Sequence, residues 1–202
     1  MLKVFVLKTG LVLAAFVMLS ITANAQKSPK ATQPVPDHSV YGQVKDGVYT
    51  NSVIGLRIPI PKEMEVDAPS YVDVALVPTQ VPGSMFAGQT LNIKTLFSAR
   101  AFPVIFICTA TKLPPNLQKK TGEEILNDRL FKEPSAPMAK VEKLGTSSLA
   151  YVDGKTRFNE NRSYAIVRKG YYISLVISYK DKADLSVMGE YLAAANFDWA
   201  GK

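Results

Sequence analysis

The C-terminal third of the chain carries the pattern that most restricts its possible folds. In the segment 171–179, large apolar residues occupy every second position from Tyr171 to Tyr179, and smaller or more polar residues lie between them. Successive side chains of a strand point to opposite faces of a sheet. The alternation therefore predicts a strand with one face in a core and a second face that is only partly covered.

Shorter extended segments precede this strand and are separated by turn residues. Asp153-Gly154 and Lys169-Gly170 are the predicted turns. The predicted strands between and before them are 149–152, 156–160 and 162–168. We therefore expect an antiparallel meander that closes with the strand 171–179.

The region before the meander is also rich in extended patterns. Pro59 and Pro61 cannot donate hydrogen bonds to a neighbouring strand, so the strand containing them is expected at a sheet edge. The apolar run from Val104 to Cys108 is typical of a strand covered on both faces, and it favours a buried, unreactive thiol at Cys108. The predicted strands of this region are 56–61, 91–99 and 102–113.

Two helices are predicted among these strands. Thr121 and Glu124 have the spacing of a capping box, and the helix that they begin is expected to end before Pro134. The segment 183–195 has apolar residues at helical spacing and is the second predicted helix. We therefore expect an α+β fold, in which an antiparallel β-sheet is flanked by helices.

Several short segments of this arrangement resemble those of one known superfamily. They are Gly-Val-Tyr-Thr-Asn at 47–51, Gly-Leu-Arg-Ile-Pro-Ile-Pro at 55–61, the segments 153–158 and 170–175, and the ending Asn196-Phe197. The chain looks like the PsbP-like α/β/α sandwich superfamily over most of residues 46–199, and it is similar especially to small secreted bacterial members of unassigned function. The resemblance implies a scaffold used for binding and assembly, and it transfers no partner-binding residue.

The N-terminus has the three parts of a secretory signal peptide. Lys3 and Lys8 form a basic region, an apolar run spans 11–21, and Ala23-Asn24-Ala25 supplies the small residues of a cleavage site. An uncleaved anchor is the competing interpretation, but the run is shorter than the roughly 20 residues that cross a bilayer. We expect residues 1–25 to be removed, with no stable membrane insertion afterwards and a periplasmic or extracellular location.

The segment that follows the predicted signal is poor in apolar residues and contains three prolines. Such a segment cannot bury enough surface to offset its chain entropy, so 26–45 is expected to be a flexible linker. The remainder, 46–202, is long enough for a single globular α+β domain.

The number and distribution of reactive and charged residues exclude several functional classes. One histidine and one cysteine cannot form the usual zinc site, an iron-sulfur cluster or an internal disulfide, and His38 lies in the predicted linker, away from any nucleophile. We expect no metal and no cofactor. The formal net charge is +7, but the basic residues are scattered along the chain, so no nucleic-acid partner is expected.

Charged and tyrosine residues concentrate in the predicted meander: Arg157, Glu160, Arg162 and Arg168, with Tyr151, Tyr164 and Tyr172 nearby. Arginine forks beside tyrosines suit recognition of a carboxylate, a phosphate or a partner protein. They equally suit ordinary cross-strand pairs on a half-exposed sheet, and both interpretations stay open. The candidate contacts to a ligand or partner are Tyr151, Arg157, Arg162, Arg168 and Tyr172.

Two further segments have alternative interpretations. Glu63, Glu65 and Asp67 are spaced by two, so they could share a face and bind calcium, or they could be charges that protect a strand edge. In the segment 82–88, Met85 and Phe86 could form a lid or partner contact, or they could fold back onto the core.

Two functional classes follow from these observations. The preferred hypothesis is an exported, noncatalytic binding or accessory protein of the bacterial cell envelope, with an unknown envelope protein or small ligand as its partner. The alternative is a hydrolase or transferase that acts outside the cytoplasm through carboxylates. Its candidate acids and bases are Glu123, Glu124, Asp153 and Glu160. Facing carboxylates in a deep pocket would favour the enzyme, and a shallow surface lined by tyrosine and arginine would favour the binding protein.

Overall fold

The computed structural model describes residues 38–67, 74–76, 83–128 and 137–201. The predicted signal peptide and most of the predicted linker lie outside these ranges. The elements in chain order are a 3-10 helix (His38–Tyr41), β1 (Gln43–Lys45), β2 (Val48–Asn51), β3 (Leu56–Pro59), β4 (Glu65–Val66), β5 (Val74–Leu76), β6 (Leu91–Ala101), β7 (Val104–Lys112), a second 3-10 helix (Pro115–Leu117), α1 (Gly122–Leu126), β8 (Lys140–Leu144), β9 (Ser147–Lys155), β10 (Glu160–Arg168), β11 (Tyr171–Tyr179) and α2 (Lys182–Ala193).

The described strands form two antiparallel sheets. The large sheet has the order β4-β6-β7-β11-β10-β9-β8, and β5 also pairs with β6. The small sheet has the order β1-β2-β3, so the strand with Pro59 lies at a sheet edge, as predicted. The second proline of that motif, Pro61, comes after the end of β3.

The two faces of the large sheet carry separate cores. The small sheet and α2 cover the first face, where the aromatic rings of Tyr49, Phe97 and Phe106 pack together. The second face packs against α1, the second 3-10 helix and the loop around Phe86. Phe86 is 1% exposed, so this residue folds back onto the core rather than forming a lid.

The structure confirms the α+β prediction in its coarse form, an antiparallel sheet with helices packed on it. The sheet is the dominant part, and the described helices cover it only partly. The capping box at Thr121 is present, because its hydroxyl accepts from the backbone N–H of Glu124, whose carboxylate accepts from the backbone N–H of Thr121. The expected continuation of this helix toward Pro134 lies outside the described residues, and α1 ends at Leu126.

Three sequence-based expectations differ from the structure. Asp153-Gly154 lies inside β9 and pairs with β10. The hairpin turn is formed two residues later, where the Thr156 hydroxyl donates to the backbone oxygen of Asn159 and accepts from its backbone N–H.

The second difference concerns residues 38–45, which were assigned to the flexible linker. They begin the folded part, because Tyr41 is buried and its backbone oxygen accepts a hydrogen bond from the Tyr49 hydroxyl at 2.8 Å. Strand β7 is fully buried on one face only, since its alternate residues are half-exposed.

Cys108 lies on the fully buried face of β7, with 0% of its surface exposed. This placement confirms the prediction of a buried thiol. Burial raises the pKa of the Cys108 thiol, because the interior disfavours the charged thiolate that would act as a nucleophile.

Candidate functional site

The candidate site is a cluster of charged and aromatic side chains on the first face of the large sheet. The register of β10 places Arg162 opposite Asp153 of β9, and it places Tyr164 opposite Tyr151. Residues two apart in a strand share a face, so all four side chains lie on the same side. Glu142 reaches the cluster from the edge strand β8. We call these five residues the Arg162 cluster.

The guanidinium of Arg162 is held by two carboxylates. Its Nε donates to Asp153 Oδ1 at 2.6 Å, and its second terminal nitrogen donates to Asp153 Oδ2 at 3.1 Å. The remaining nitrogen donates to Glu142 Oε2 at 3.4 Å. Burial by itself disfavours the charged form, but the hydrogen bond to Asp153 and the interaction with Tyr164 raise the pKa of Arg162, so the side chain stays charged.

Two tyrosine rings complete the cluster. The Arg162 guanidinium lies 4.2 Å from the centroid of the Tyr151 ring, a cation–π distance. The hydroxyl of Tyr164 donates to Glu142 Oε2 at 3.1 Å. Burial, assisted by the negative charge of Glu142, raises the pKa of Tyr164 to about 12 against the opposing effect of Arg162. Tyr164 therefore stays a neutral donor across the physiological pH range.

A shallow depression lies beside the Arg162 cluster, between the end of β9–β10 and the start of α2. Its volume is about 550 Å³ and it opens to solvent. Tyr179 is one of the lining residues, and burial followed by the charges of Asp153 and Glu160 raises its pKa. The lining residues are Asp153, Gly154, Lys155, Glu160, Arg162, Tyr179, Lys182 and Leu185.

The structure brings together two of the five candidate contacts and separates the other three. Tyr151 and Arg162 are in contact. Arg157 lies in the turn between β9 and β10, where its guanidinium is 5.4 Å from the centroid of the exposed Phe158 ring. Tyr172 is buried in the core of the opposite face.

Arg168 shares a face with Arg162 but lies at the far end of β10. A strand rises about 3.3 Å per residue, so the two backbone positions are roughly 20 Å apart. The Nε of Arg168 is 3.1 Å from Asp198 Oδ1, and another of its nitrogens donates to the backbone oxygen of Val167. The five residues therefore do not converge in one pocket.

Sequence reasoning missed three residues that belong to this region: Glu142, Tyr179 and Lys182. Tyr164 was identified with the arginines of the meander, and it shares a face with Arg162 because the two residues are two positions apart in one strand. Glu142 carried no such signal, because its position depends on the pairing of β8 with β9.

The candidate carboxylates of the enzymatic alternative are divided between two places. Glu124 belongs to α1, where Lys120 at 2.7 Å and the Thr121 backbone lower its pKa. A general acid needs the opposite shift. Asp153 and Glu160 both line the depression, but Asp153 is bound by Arg162 through both oxygens, and Glu160 lies 3.9 Å from Lys155.

The alternating carboxylates near β4 face an arginine. Asp67 and Glu65 lie 3.0 and 3.9 Å from nitrogens of Arg100 on the neighbouring strand β6. This placement fits the alternative of a charged strand edge. Within the described ranges, no group of three histidine, cysteine, aspartate or glutamate side chains could hold a metal ion.

None of the helices in the described part of the chain has the length and apolar character required to span a bilayer. This finding does not extend to residues 1–37, which contain the apolar run of the predicted signal peptide.

The chain has a distant structural similarity to a known protein. No protein-family model matches the chain, and no curated protein matches it. The solution structure of cyanobacterial PsbP (CyanoP) from Synechocystis sp. PCC 6803 is similar to it, with 10% sequence identity and a TM-score of 0.39. The match covers 76% of this chain and 94% of that chain. A similarity this distant does not indicate what the chain binds.

Proposed function

We propose that this chain is an exported, noncatalytic binding protein of the bacterial cell envelope, built on a PsbP-like α/β/α sandwich. The depression beside the Arg162 cluster receives a polar or charged group of a partner protein or small ligand. The sequence motifs at 47–51 and 55–61 support the scaffold, and the basic, apolar and small-residue parts of 1–25 support export.

One observation carries the proposal: the two carboxylates that line the depression already lie beside cations of the chain. Asp153 is bound by Arg162, and Glu160 is close to Lys155. Such groups are oriented before a partner arrives, so binding has less side-chain freedom to remove. Acid–base catalysis instead needs a carboxylate that is free to contact the substrate, and both oxygens of Asp153 accept hydrogen bonds from Arg162.

The export part of the proposal predicts a defined N-terminus. When the full chain is expressed in a bacterial host, we expect the protein recovered from the envelope fraction to begin at Gln26, because Ala23 and Ala25 fit the small-residue positions of a cleavage site. Intact-mass measurement checks this start. Substitution of Ala25 by a bulky residue, A25W, is expected to leave the precursor uncleaved. Recovery of an intact N-terminus from the unmodified chain would contradict the proposed removal of 1–25.

The binding part predicts a partner whose capture depends on the rim of the depression. Lys155 and Lys182 line the rim and are exposed, so their reversal in a K155E/K182E double variant is expected to leave the fold intact. We expect the dissociation constant of the partner to rise about tenfold in this variant, since each exposed charge pair contributes up to about 1 kcal/mol. The measurement is affinity capture from the native envelope fraction, followed by titration of the captured partner.

The matched control is the K45E/K119E double variant, which reverses two exposed lysines in β1 and in the loop before α1. It has the same net charge as the test variant, so it separates a local contact from an effect of total charge. Equal loss of the partner from both variants would count against the depression as the binding site. Turnover of a substrate that E160Q abolishes without unfolding the protein would replace the proposal with the enzymatic alternative.

A further inference from the structure

The two most exposed aromatic side chains of the described residues lie on two different hairpin turns. Phe102, in the turn between β6 and β7, is 89% exposed, and Phe158, in the turn between β9 and β10, is 77% exposed. An exposed phenylalanine ring is unfavourable in water and contributes nothing to the core of its own protein. Neither ring contributes to the two cores described above.

The register of the large sheet places both turns at the same end and at the same height. Ala101 pairs with Val104 across the first turn, and Lys155 pairs with Glu160 across the second. Strand β11 lies between these two hairpins, and its last residue, Tyr179, is paired with Glu160. The turns are separated by three strand spacings, which is roughly 14 Å. The two exposed rings therefore lie at the same end of the large sheet, on turns that do not adjoin each other.

Each ring is accompanied by a positive charge. Lys180 follows β11, and its Nζ lies 5.2 Å from the centroid of the Phe102 ring. The guanidinium of Arg157 lies 5.4 Å from the centroid of the Phe158 ring. Within the described ranges neither cation is in an ion pair. The nearby carboxylates have other partners: Glu160 lies 3.9 Å from Lys155, and Asp181 caps α2.

We propose that this end of the sheet, which we call the aromatic edge, docks on an anionic lipid surface. The aromatic edge consists of Phe102, Phe158, Arg157 and Lys180. The rings enter the boundary between headgroups and acyl chains, while the two cations stay at the level of the anionic headgroups. The contact is peripheral and reversible, because two side chains bury far less apolar surface than a membrane-spanning helix.

The shape of the aromatic edge favours lipid over a macromolecule. A specific protein interface usually covers about 800 Å² on each side and has a continuous, closely packed centre. Two convex rings separated by strand ends would leave gaps against a rigid partner. A fluid lipid interface closes around each ring separately, and its negative charge complements Lys180 and Arg157.

The test is binding to phosphatidylcholine vesicles with and without phosphatidylglycerol, measured by cosedimentation. It uses the protein as recovered after export, with the same N-terminus in every variant. We expect F102S and F158S each to weaken binding to the anionic vesicles about tenfold, and the double variant about a hundredfold, since the sites are far enough apart to act independently. K180A is expected to weaken it about fivefold, and only on the anionic vesicles.

The control is V53S, which removes an exposed apolar side chain from the turn between β2 and β3 of the small sheet. The neighbouring Ser52 accepts a hydrogen bond from Lys169, which lies in the turn at the opposite end of the large sheet. We expect V53S to bind vesicles as the unmodified protein does. Failure of the unmodified protein to bind anionic vesicles would overturn the proposal, as would equal binding by F102S/F158S. Capture of a soluble protein or glycan that requires both rings, without vesicle binding, would also overturn it.

This inference does not depend on the proposed function of the depression. None of the four aromatic-edge residues lines the depression, so F102S/F158S is expected to leave partner capture unchanged. Loss of vesicle binding with retained capture would support the aromatic edge alone. Loss of both in F102S/F158S would show that the two surfaces are not separate and would overturn the lipid-specific role of the rings.

Discussion

Replacement of Gly145 by alanine is expected to lower the free energy of unfolding by about 2–5 kcal/mol, since overpacking costs about 1–3 kcal/mol and a left-handed backbone about 1–2 kcal/mol. Gly145 lies in the turn between β8 and β9 with φ of +58°, in the left-handed region. A Cβ there would collide with the carbonyl oxygen of Ala193, at the end of α2, and would lie 3.0 Å from its carbonyl carbon. Both are backbone atoms, so no side-chain rotation relieves the contact.

The matched control is G88A. Gly88 also has a positive φ, +75°, but a Cβ at this position would meet nothing within 4 Å. G88A therefore measures the cost of the backbone conformation alone, about 1–2 kcal/mol. Urea unfolding followed by circular dichroism gives both values. A G145A variant no less stable than G88A would show that the turn does not pack against α2 as described.

Replacement of Asp128 by alanine is expected to lower the free energy of unfolding by about 2–4 kcal/mol. Asp128 follows α1, is 6% exposed, and accepts hydrogen bonds from the Ser84 hydroxyl at 2.6 Å and from the Met85 backbone N–H at 2.7 Å. D128A removes the acceptor of both donors, which costs about 1–3 kcal/mol for a buried donor such as the Ser84 hydroxyl and less for the half-buried Met85 N–H, which water can reach. These bonds also hold Phe86 in the second core.

The Asp128 prediction is checked by a double-mutant cycle with S84A. The cycle is expected to give a coupling energy of about 0.5–3 kcal/mol, because the two side chains share a direct hydrogen bond. D128N is the conservative variant, and it is expected to lose less stability than D128A because its amide keeps one acceptor oxygen. If D128A lowered the free energy of unfolding by less than about 0.5 kcal/mol, Asp128 would behave as a surface residue, which would contradict its buried hydrogen bonds.

Local patterns were sufficient to predict most of the strands. The alternation at 171–179 predicted β11 with the observed bounds, because one buried face imposes a period of two on the sequence. The capping box predicted the start of α1, because both of its hydrogen bonds join residues three positions apart. The turn at 153–154 was predicted wrongly, because a glycine inside a strand and a glycine in a turn look alike in sequence.

The candidate site was predicted less well than the strands. The residue types were identified, but only Tyr151 and Arg162 of the five lie together. The alternation along β11 places Tyr172 on the opposite face from Tyr171 and Ile173. It does not show whether that face is the one that carries Tyr151 and Arg162, because this depends on the register between the strands. The contact between Arg162 and Glu142 joins residues 20 positions apart, so it depended on the order of the strands.

The sequence by itself determined where most of the long strands lie, where α1 begins, and that Cys108 is buried, because each of these depends on periodicity or on hydrogen bonds between near neighbours. The tertiary structure alone decided that Arg162 contacts two carboxylates and two tyrosines, and that the end of α2 packs against the turn at Gly145. It also decided that Phe102 and Phe158 lie at the same end of the large sheet. These arrangements depend on strand order and register, which bring together residues that are distant along the chain.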